Sequence, residues 1–117
     1  RVGDSGGGEY WDGNIGEIIA YNRELTDPEM ARVNTYLAIK YGVTLGQGNG
    51  FVGQDGNSYN YVLGDGTTVV WNTTTNSGYN FEIAGIGLDK CQGLNQKQSR
   101  SANNSAAVRS HSWGQAM

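Results

Sequence analysis

The 117-residue sequence has little of what several protein classes require. It contains one proline, one cysteine and one histidine, and only eight residues are lysine or arginine. A lone cysteine excludes an internal disulfide and a metal site built on several thiolates, so we expect Cys91 to be a bystander thiol. The formal net charge is −3, and no basic stripe is present to neutralise phosphates. Nucleic acid is therefore not an expected partner.

The sequence also lacks long apolar runs. No stretch approaches the roughly 20 apolar residues that would span a bilayer, and the chain starts in loop-like sequence without the charged-then-apolar pattern of a signal peptide. Glycine, by contrast, is abundant, with 19 residues, and Asn, Ser and Thr are frequent. This composition predicts tight turns between short strands rather than a helical bundle.

The clearest predicted element is a helix over 27–41. Thr26 and Glu29 have the spacing of a capping box, and Gly42 supplies a stop at the C-terminal end. Apolar residues recur at three- and four-residue spacing through this segment, which predicts one buried stripe. The stripe consists of Met30, Val33, Leu37 and Tyr41.

Strands are predicted from runs of β-branched and aromatic residues near 15–21, 59–63, 67–72 and 80–87. Asp65 and Gly66 form a favoured two-residue turn between the second and third runs, which indicates a hairpin. The predicted fold class is α+β, with one helix packed on a small, mainly antiparallel sheet and glycine-rich turns.

Around Ser5 the string G-D-S-G-G resembles the nucleophile loop of chymotrypsin-like serine proteases. An activated serine needs a base within hydrogen-bond reach, and the only histidine, His111, lies near the other end of the chain. A flexible loop is the favoured interpretation. A hydrolase of a polysaccharide, ester or peptide bond stays open as the alternative, using Ser5 and His111 or the carboxylates Glu9, Asp12 and Glu17.

Aromatic side chains are the candidates for ligand binding. Tyr10, Trp11, Trp71 and Tyr79 would suit a platform for sugar rings, although core or cross-strand packing is the commoner use of such residues.

Three Asp-Gly turns, at 12–14, 55–57 and 65–66, resemble fragments of calcium loops. Each supplies a single carboxylate, fewer than a calcium site normally uses. We therefore expect turns and no cofactor, with calcium as the one alternative.

The run W-D-G-N-I-G-E-I-I-A-Y-N-R-E-L-T-D-P-E at 11–29, and the helix that continues it to about residue 45, resemble the end of a laminin-G/concanavalin-A-like jelly-roll domain. Residues 59–103, with their I-A-G-I-G and G-L-N-Q-K-Q-S blocks, resemble a β-rich domain of unassigned function. That domain follows such jelly-rolls in large secreted or surface proteins of bacteria, often adhesin-like ones.

The resemblance implies a division of the chain into the end of a jelly-roll-like domain (1–45), a glycine-rich linker (46–57), a β-rich segment (58–105) and an unstructured tail (106–117). It also implies export to the cell surface and a non-catalytic role that is either binding, with glycan or protein as the ligand, or structural. A late jelly-roll strand without its neighbours would expose unpaired backbone over 15–21. We therefore expect a homo-oligomer formed through that strand or the helix.

Overall fold

A computed structural model describes residues 13–81 and 83–100. Within these residues one α-helix and six short strands form, and the strands pair as three antiparallel two-stranded sheets, so the α+β prediction is confirmed. No helix in the described ranges is long and apolar enough to cross a membrane. The elements are α1 (Asp27–Tyr41), β1 (Phe51–Val52), β2 (Ser58–Tyr59), β3 (Tyr61–Val62), β4 (Val69–Trp71), β5 (Gly87–Asp89) and β6 (Leu94–Gln96).

Both ends of α1 form as the sequence predicts. The capping box is present: the Glu29 carboxylate accepts hydrogen bonds from the backbone N–H and hydroxyl of Thr26, at 3.0 and 3.1 Å. At the other end Gly42 adopts the left-handed conformation (φ 67°, ψ 37°), and its N–H donates to the Ala38 carbonyl. The bounds of the helix therefore follow from local chemistry.

The buried face of α1 is not the predicted stripe. Ala31, Thr35 and Ala38 are each 1% exposed, whereas Tyr41 is 41% exposed. Met30, Val33 and Leu37 are only half-buried. Small side chains allow the helix to approach β3 closely. The predicted stripe was chosen from large apolar residues, so it did not include this face of small ones.

Tyr61 fills the space that the small helix residues leave. It is 1% exposed and packs with Ala38 and Ile83, and Leu45 and Trp71 lie partly buried around this cluster. Its hydroxyl accepts a hydrogen bond from the Leu45 N–H at 2.9 Å. The phenol therefore joins the strand to the segment that follows the helix.

The helix and β3 are also joined by a direct hydrogen bond. The Val62 N–H donates to the buried Thr35 hydroxyl at 3.0 Å. A threonine on the inner face of a helix thus satisfies a strand N–H that the sheet leaves unpaired.

The predicted hairpin is confirmed, with shorter arms. β3 and β4 pair with Tyr61 opposite Trp71 and Val62 opposite Val69. In the intervening turn, Gly66 has a φ of 74°, which favours glycine.

Two predicted strands are wrong: the one at 15–21 does not form, and the one at 80–87 begins later. Residues 15–21 form no strand, because no described segment supplies the hydrogen-bonding neighbour that a strand requires. Over 80–87, a 3₁₀ turn at Ser77–Tyr79 precedes an irregular stretch, and the strand begins only at Gly87. A further difference is that 59–63 is divided, because β2 pairs with β1 while β3 pairs with β4.

The glycine-rich 46–57 segment contains its own structure. A 3₁₀ turn at Gly46–Gly48 leads into β1, and the Asp27 carboxylate accepts the N–H groups of Gln54 and Asp55 at 3.0 and 3.1 Å. These bonds attach the segment to the first turn of α1. The division of the chain into separate domains stays a prediction.

Candidate functional site

A groove of about 480 Å³ lies where the β1–β2 hairpin meets the loop that follows β4. We call it the polar groove, since six of its eight lining residues carry an amide or a hydroxyl group. Its lining residues are Gly48, Asn49, Ser58, Thr73, Thr74, Ser77, Asn80 and Phe81.

The loop wall of the polar groove is held in shape by amide side chains. The Asn72 side-chain oxygen accepts the N–H groups of Thr74 and Thr75, at 3.0 and 2.9 Å. Asn76 then donates its side-chain and backbone N–H groups to the Asn72 carbonyl. This Asn- and Thr-rich turn is therefore an ordered scaffold.

Asn80 connects this wall to the hydrophobic core. It is 5% exposed, its side-chain NH₂ donates to the Thr73 carbonyl at 2.7 Å, and its oxygen accepts the Trp71 indole N–H at 2.7 Å. Thr73 in turn donates its N–H and hydroxyl to the Asn60 side chain. Trp71, a predicted binding residue, thus holds a groove residue in place while packing against the core.

Four polar side chains on the groove surface are available to a ligand. Asn49, Ser58, Thr74 and Ser77 are exposed, and their side chains make no hydrogen bond to other residues of the described segments. They offer donors and acceptors already positioned by the backbone.

One exposed aromatic ring borders these polar groups: Phe81 lines the groove and is 55% exposed. Tyr79, predicted as a binding residue, is 71% exposed but is not one of the lining residues. The Phe81 ring rests on Gly48, where an added Cβ would lie 2.9 Å from its Cζ atom. The sequence predicts Phe81 to lie in a strand, because the residues next to it in the chain give no sign that its ring is exposed.

Glu17 is the one candidate catalytic carboxylate within the described residues. It precedes α1 and contacts side chains of that helix, away from the polar groove. Its carboxylate accepts hydrogen bonds from Tyr36, Lys40 and Tyr41 at 3.2, 2.8 and 3.0 Å. The Lys40 ammonium lowers the pKa of Glu17, with the two phenols adding to the effect. A carboxylate held ionised by three donors is suited to attaching the 13–25 segment to the helix rather than to donating a proton.

The two Asp-Gly turns whose aspartates are described, at 55–57 and 65–66, use their carboxylates internally. Asp55 accepts the backbone and side-chain N–H groups of Asn57, at 2.8 and 2.7 Å, and the hydroxyl of Tyr59 at 2.8 Å. Asp65 accepts the N–H groups of Thr67 and Thr68, at 2.9 and 2.8 Å. Among residues 13–81 and 83–100, no three His, Cys, Asp or Glu side chains are grouped to hold a metal ion. The expectation of no cofactor stays a prediction.

A family model described as Domain of unknown function (DUF8202) matches residues 29–114. The chain belongs to that family. The match begins in the first turn of α1 and includes all six strands and the whole polar groove. Neither a curated protein nor a solved structure matches the chain.

Several predicted site residues of this DUF8202 member lie outside the described residues. The tail predicted over 106–117 lies outside them as well. The site residues concerned are Ser5, Glu9, Tyr10, Trp11, Asp12 and His111.

Acidification is expected to destabilise the fold through carboxylates whose pKa is low. Bonds from Arg23, and then from the Thr26 N–H, lower the pKa of Glu29 from 4.5 to about 2, and bonds from Thr68 lower that of Asp65 from 3.8 to about 2. Because these pKa values are lower in the folded state, the ionised carboxylates stabilise it fully above about pH 4.5. This contribution is lost as the pH falls towards 2.

The measurement is the urea midpoint of unfolding at pH 6, 4 and 2.5. We expect the midpoint to fall with pH, and a Glu29→Gln variant to lose part of that dependence. A midpoint unchanged between pH 6 and 2.5 would show that the two carboxylates do not stabilise the fold.

Proposed function

We propose that this domain is a non-catalytic carbohydrate-binding module and that the polar groove is its binding site. The observation that carries the proposal is the position of four exposed amide and hydroxyl side chains next to the exposed aromatic ring of Phe81. Of the residues named for the hydrolase alternative, Glu17 lies within the described segments, and its carboxylate is engaged by Lys40 and two phenols. The rest of that alternative stays a prediction.

The chemistry of the groove matches that of a sugar. A pyranose has hydroxyl groups around its rim and apolar C–H groups on its faces, so it needs hydrogen-bonding groups at its edge and an aromatic surface against its face. Asn49, Thr74 and Ser77 would supply the first, and Phe81 the second. At about 480 Å³ the groove has room for one or two sugar units.

The groove is also preformed, which favours binding. Asn80 is fixed by Trp71 and by the Thr73 carbonyl, and the 72–76 turn is held by Asn72. A ligand therefore meets a surface whose backbone needs little ordering, and less of its binding energy is lost to conformational entropy.

The wider setting that we propose is an exported bacterial surface protein of adhesin-like type. This part of the proposal is supported by the sequence resemblance of 11–45 to the end of a laminin-G-like jelly-roll and of 59–103 to the β-rich domain that follows it.

We further propose that the chain forms a homo-oligomer through the 15–21 segment. Ile15, Ile18 and Tyr21 are 49%, 63% and 52% exposed, and no strand within 13–81 and 83–100 pairs with this stretch. Light scattering over a range of concentrations is expected to give a mass above 12.6 kDa. A monomer at every concentration would contradict the proposal.

The binding function is tested on a glycan array, followed by calorimetry with the best ligand. We expect Phe81→Ala to weaken binding about tenfold, because a lost aromatic stack is worth on the order of 1 kcal/mol. The control is Leu88→Ala, which removes a 59% exposed apolar side chain from β5, outside the groove.

Ser77→Trp adds bulk at an exposed groove position and is expected to block the ligand while leaving the thermal midpoint unchanged. The proposal fails if no glycan binds, or if a bound glycan is insensitive to both groove variants, Phe81→Ala and Ser77→Trp. Turnover of a bound oligosaccharide would contradict the non-catalytic part.

A further inference from the structure

A second, smaller groove lies beside the N-terminal half of α1 and shares no lining residue with the polar groove. Its volume is about 160 Å³, below the range of sites for whole drug-sized ligands, so it suits a small chemical group. We call it the arginine groove. The lining residues that matter here are Tyr21, Arg23, Glu29, Arg32, Gly64 and Gln92.

The charges in the arginine groove do not cancel. Arg23 and Glu29 form a two-pronged pair, with contacts of 2.9 and 2.6 Å between the guanidinium and the carboxylate. Arg32 has no carboxylate partner within the described part of the chain. Two arginines and one glutamate leave the groove with one positive charge, although the protein as a whole is negative.

Arg32 is half-buried, and its hydrogen-bonding capacity is largely unused. Its Nε donates to the Pro28 carbonyl at 3.3 Å and its Nη1 to the Gly64 carbonyl at 3.4 Å, both long for such bonds. A guanidinium has five N–H donors, so three remain without a partner among the described residues. These donors are what a bidentate anion would engage.

The neighbouring carboxylates are occupied elsewhere. Asp65 accepts hydrogen bonds from Thr67 and Thr68, and Asp89 accepts the Gly64 N–H at 2.7 Å. The 64–66 turn lies against the guanidinium, since a Cβ added to Gly66 would be 3.4 Å from the Arg32 Cζ atom. The turn therefore holds the guanidinium in place. Hydrogen bonds from neutral groups leave the two carboxylates charged, but neither Asp65 nor Asp89 forms an ion pair with Arg32.

We propose that the arginine groove binds a carboxylate group, with Arg32 as its main partner. The planar fork of Arg32 matches a carboxylate, and its burial strengthens the attraction relative to an exposed arginine. The charge of Arg23 is balanced by Glu29, so Arg32 supplies the net positive charge, and Gln92 borders the groove. Such a carboxylate belongs either to an acidic sugar or to a small free acid. The inference is independent of the polar groove.

Three probes distinguish these sources in an NMR titration of the full chain that follows the arginine Nε–Hε signals. The probes are D-glucuronate, its uncharged analogue D-glucuronamide, and acetate. We expect glucuronate to shift the Arg32 signal with an affinity that falls as salt is added, and glucuronamide to leave it unchanged. Acetate binding with equal affinity would identify a general carboxylate site, and weaker acetate binding would show that the sugar ring contributes.

Two variants test the assignment to this groove. Arg32→Gln removes the cation, and Gln92→Glu places a negative charge at the groove with almost no change in shape; both are expected to weaken glucuronate binding about tenfold or more. Lys97→Gln removes one charge from an exposed position that does not line the groove and is the matched control.

If Arg32→Gln fails to fold, Gln92→Glu decides alone. The proposal is overturned by absence of glucuronate binding, by equal binding of glucuronamide, or by unchanged affinity in the folded groove variants.

Discussion

Replacing Tyr61 by alanine is expected to lower the free energy of unfolding by about 3–5 kcal/mol, the usual loss when a buried aromatic ring is truncated. Tyr61 is 1% exposed and packs against Ala38 and Ile83, so no neighbour can fill the space that the ring leaves. A small domain has a total stability of roughly 5–15 kcal/mol, and the variant would retain little of it. Urea unfolding followed by circular dichroism measures the loss.

The control is Tyr61→Phe, which keeps the ring and removes the hydroxyl that accepts the Leu45 N–H. Its expected cost is about 1–2 kcal/mol, since one backbone donor loses its partner. If the alanine variant were as stable as the phenylalanine variant, the packing role of the ring would be wrong.

Gly50→Ala is expected to have an effect of similar size, about 3–5 kcal/mol, from backbone strain and overpacking together. Gly50 has a φ of 83°, and a Cβ at this position would lie 2.1 Å from the Tyr59 carbonyl oxygen and 3.3 Å from Thr73 Cγ2. The clash is with backbone, so no side-chain rotation relieves it. Because Gly50 contacts both walls of the polar groove, we also expect glycan binding to be lost.

Gly56→Ala is the matched comparison for this variant. Gly56 has a φ of 78°, close to that of Gly50, but nothing lies within 4 Å of an added Cβ. Gly56→Ala therefore measures the cost of a left-handed backbone conformation alone, an expected loss of about 1–2 kcal/mol in the free energy of unfolding. Equal losses in the two variants would show that the close approach to Tyr59 contributes nothing.

Local chemistry in the sequence was sufficient to predict α1 and the β3–β4 hairpin. Thr26, Glu29 and Gly42 define the helix ends through bonds within a few residues of each other, and the Asp65-Gly66 turn needs only the conformational freedom of glycine and the acceptors of aspartate. Such features depend on sequence neighbours, so the α+β class follows from them without any tertiary contact.

The candidate site was only partly predictable. The predicted aromatic platform included Tyr79, which does not line the groove, and omitted Phe81, which has the same appearance in sequence as the buried Ile83. Exposure of Phe81 depends on where the 77–79 turn directs the chain and on Gly48 beneath the ring. Arg32 likewise resembles any surface arginine in the sequence. That it forms no ion pair within the described residues is known only once the neighbouring carboxylates are located.

The sequence by itself determined the helix, its caps, the hairpin and the abundance of tight turns, because each results from interactions between residues close in the chain. Only the tertiary structure decided which face of α1 is buried, whether 15–21 has a strand partner, and how Asn49 and Ser77 come to line one groove. The physical reason is that burial and strand pairing belong to pairs of segments. Ala38 is buried because Tyr61 packs against it and Thr35 because it bonds the Val62 N–H, and the helix sequence alone does not show either neighbour.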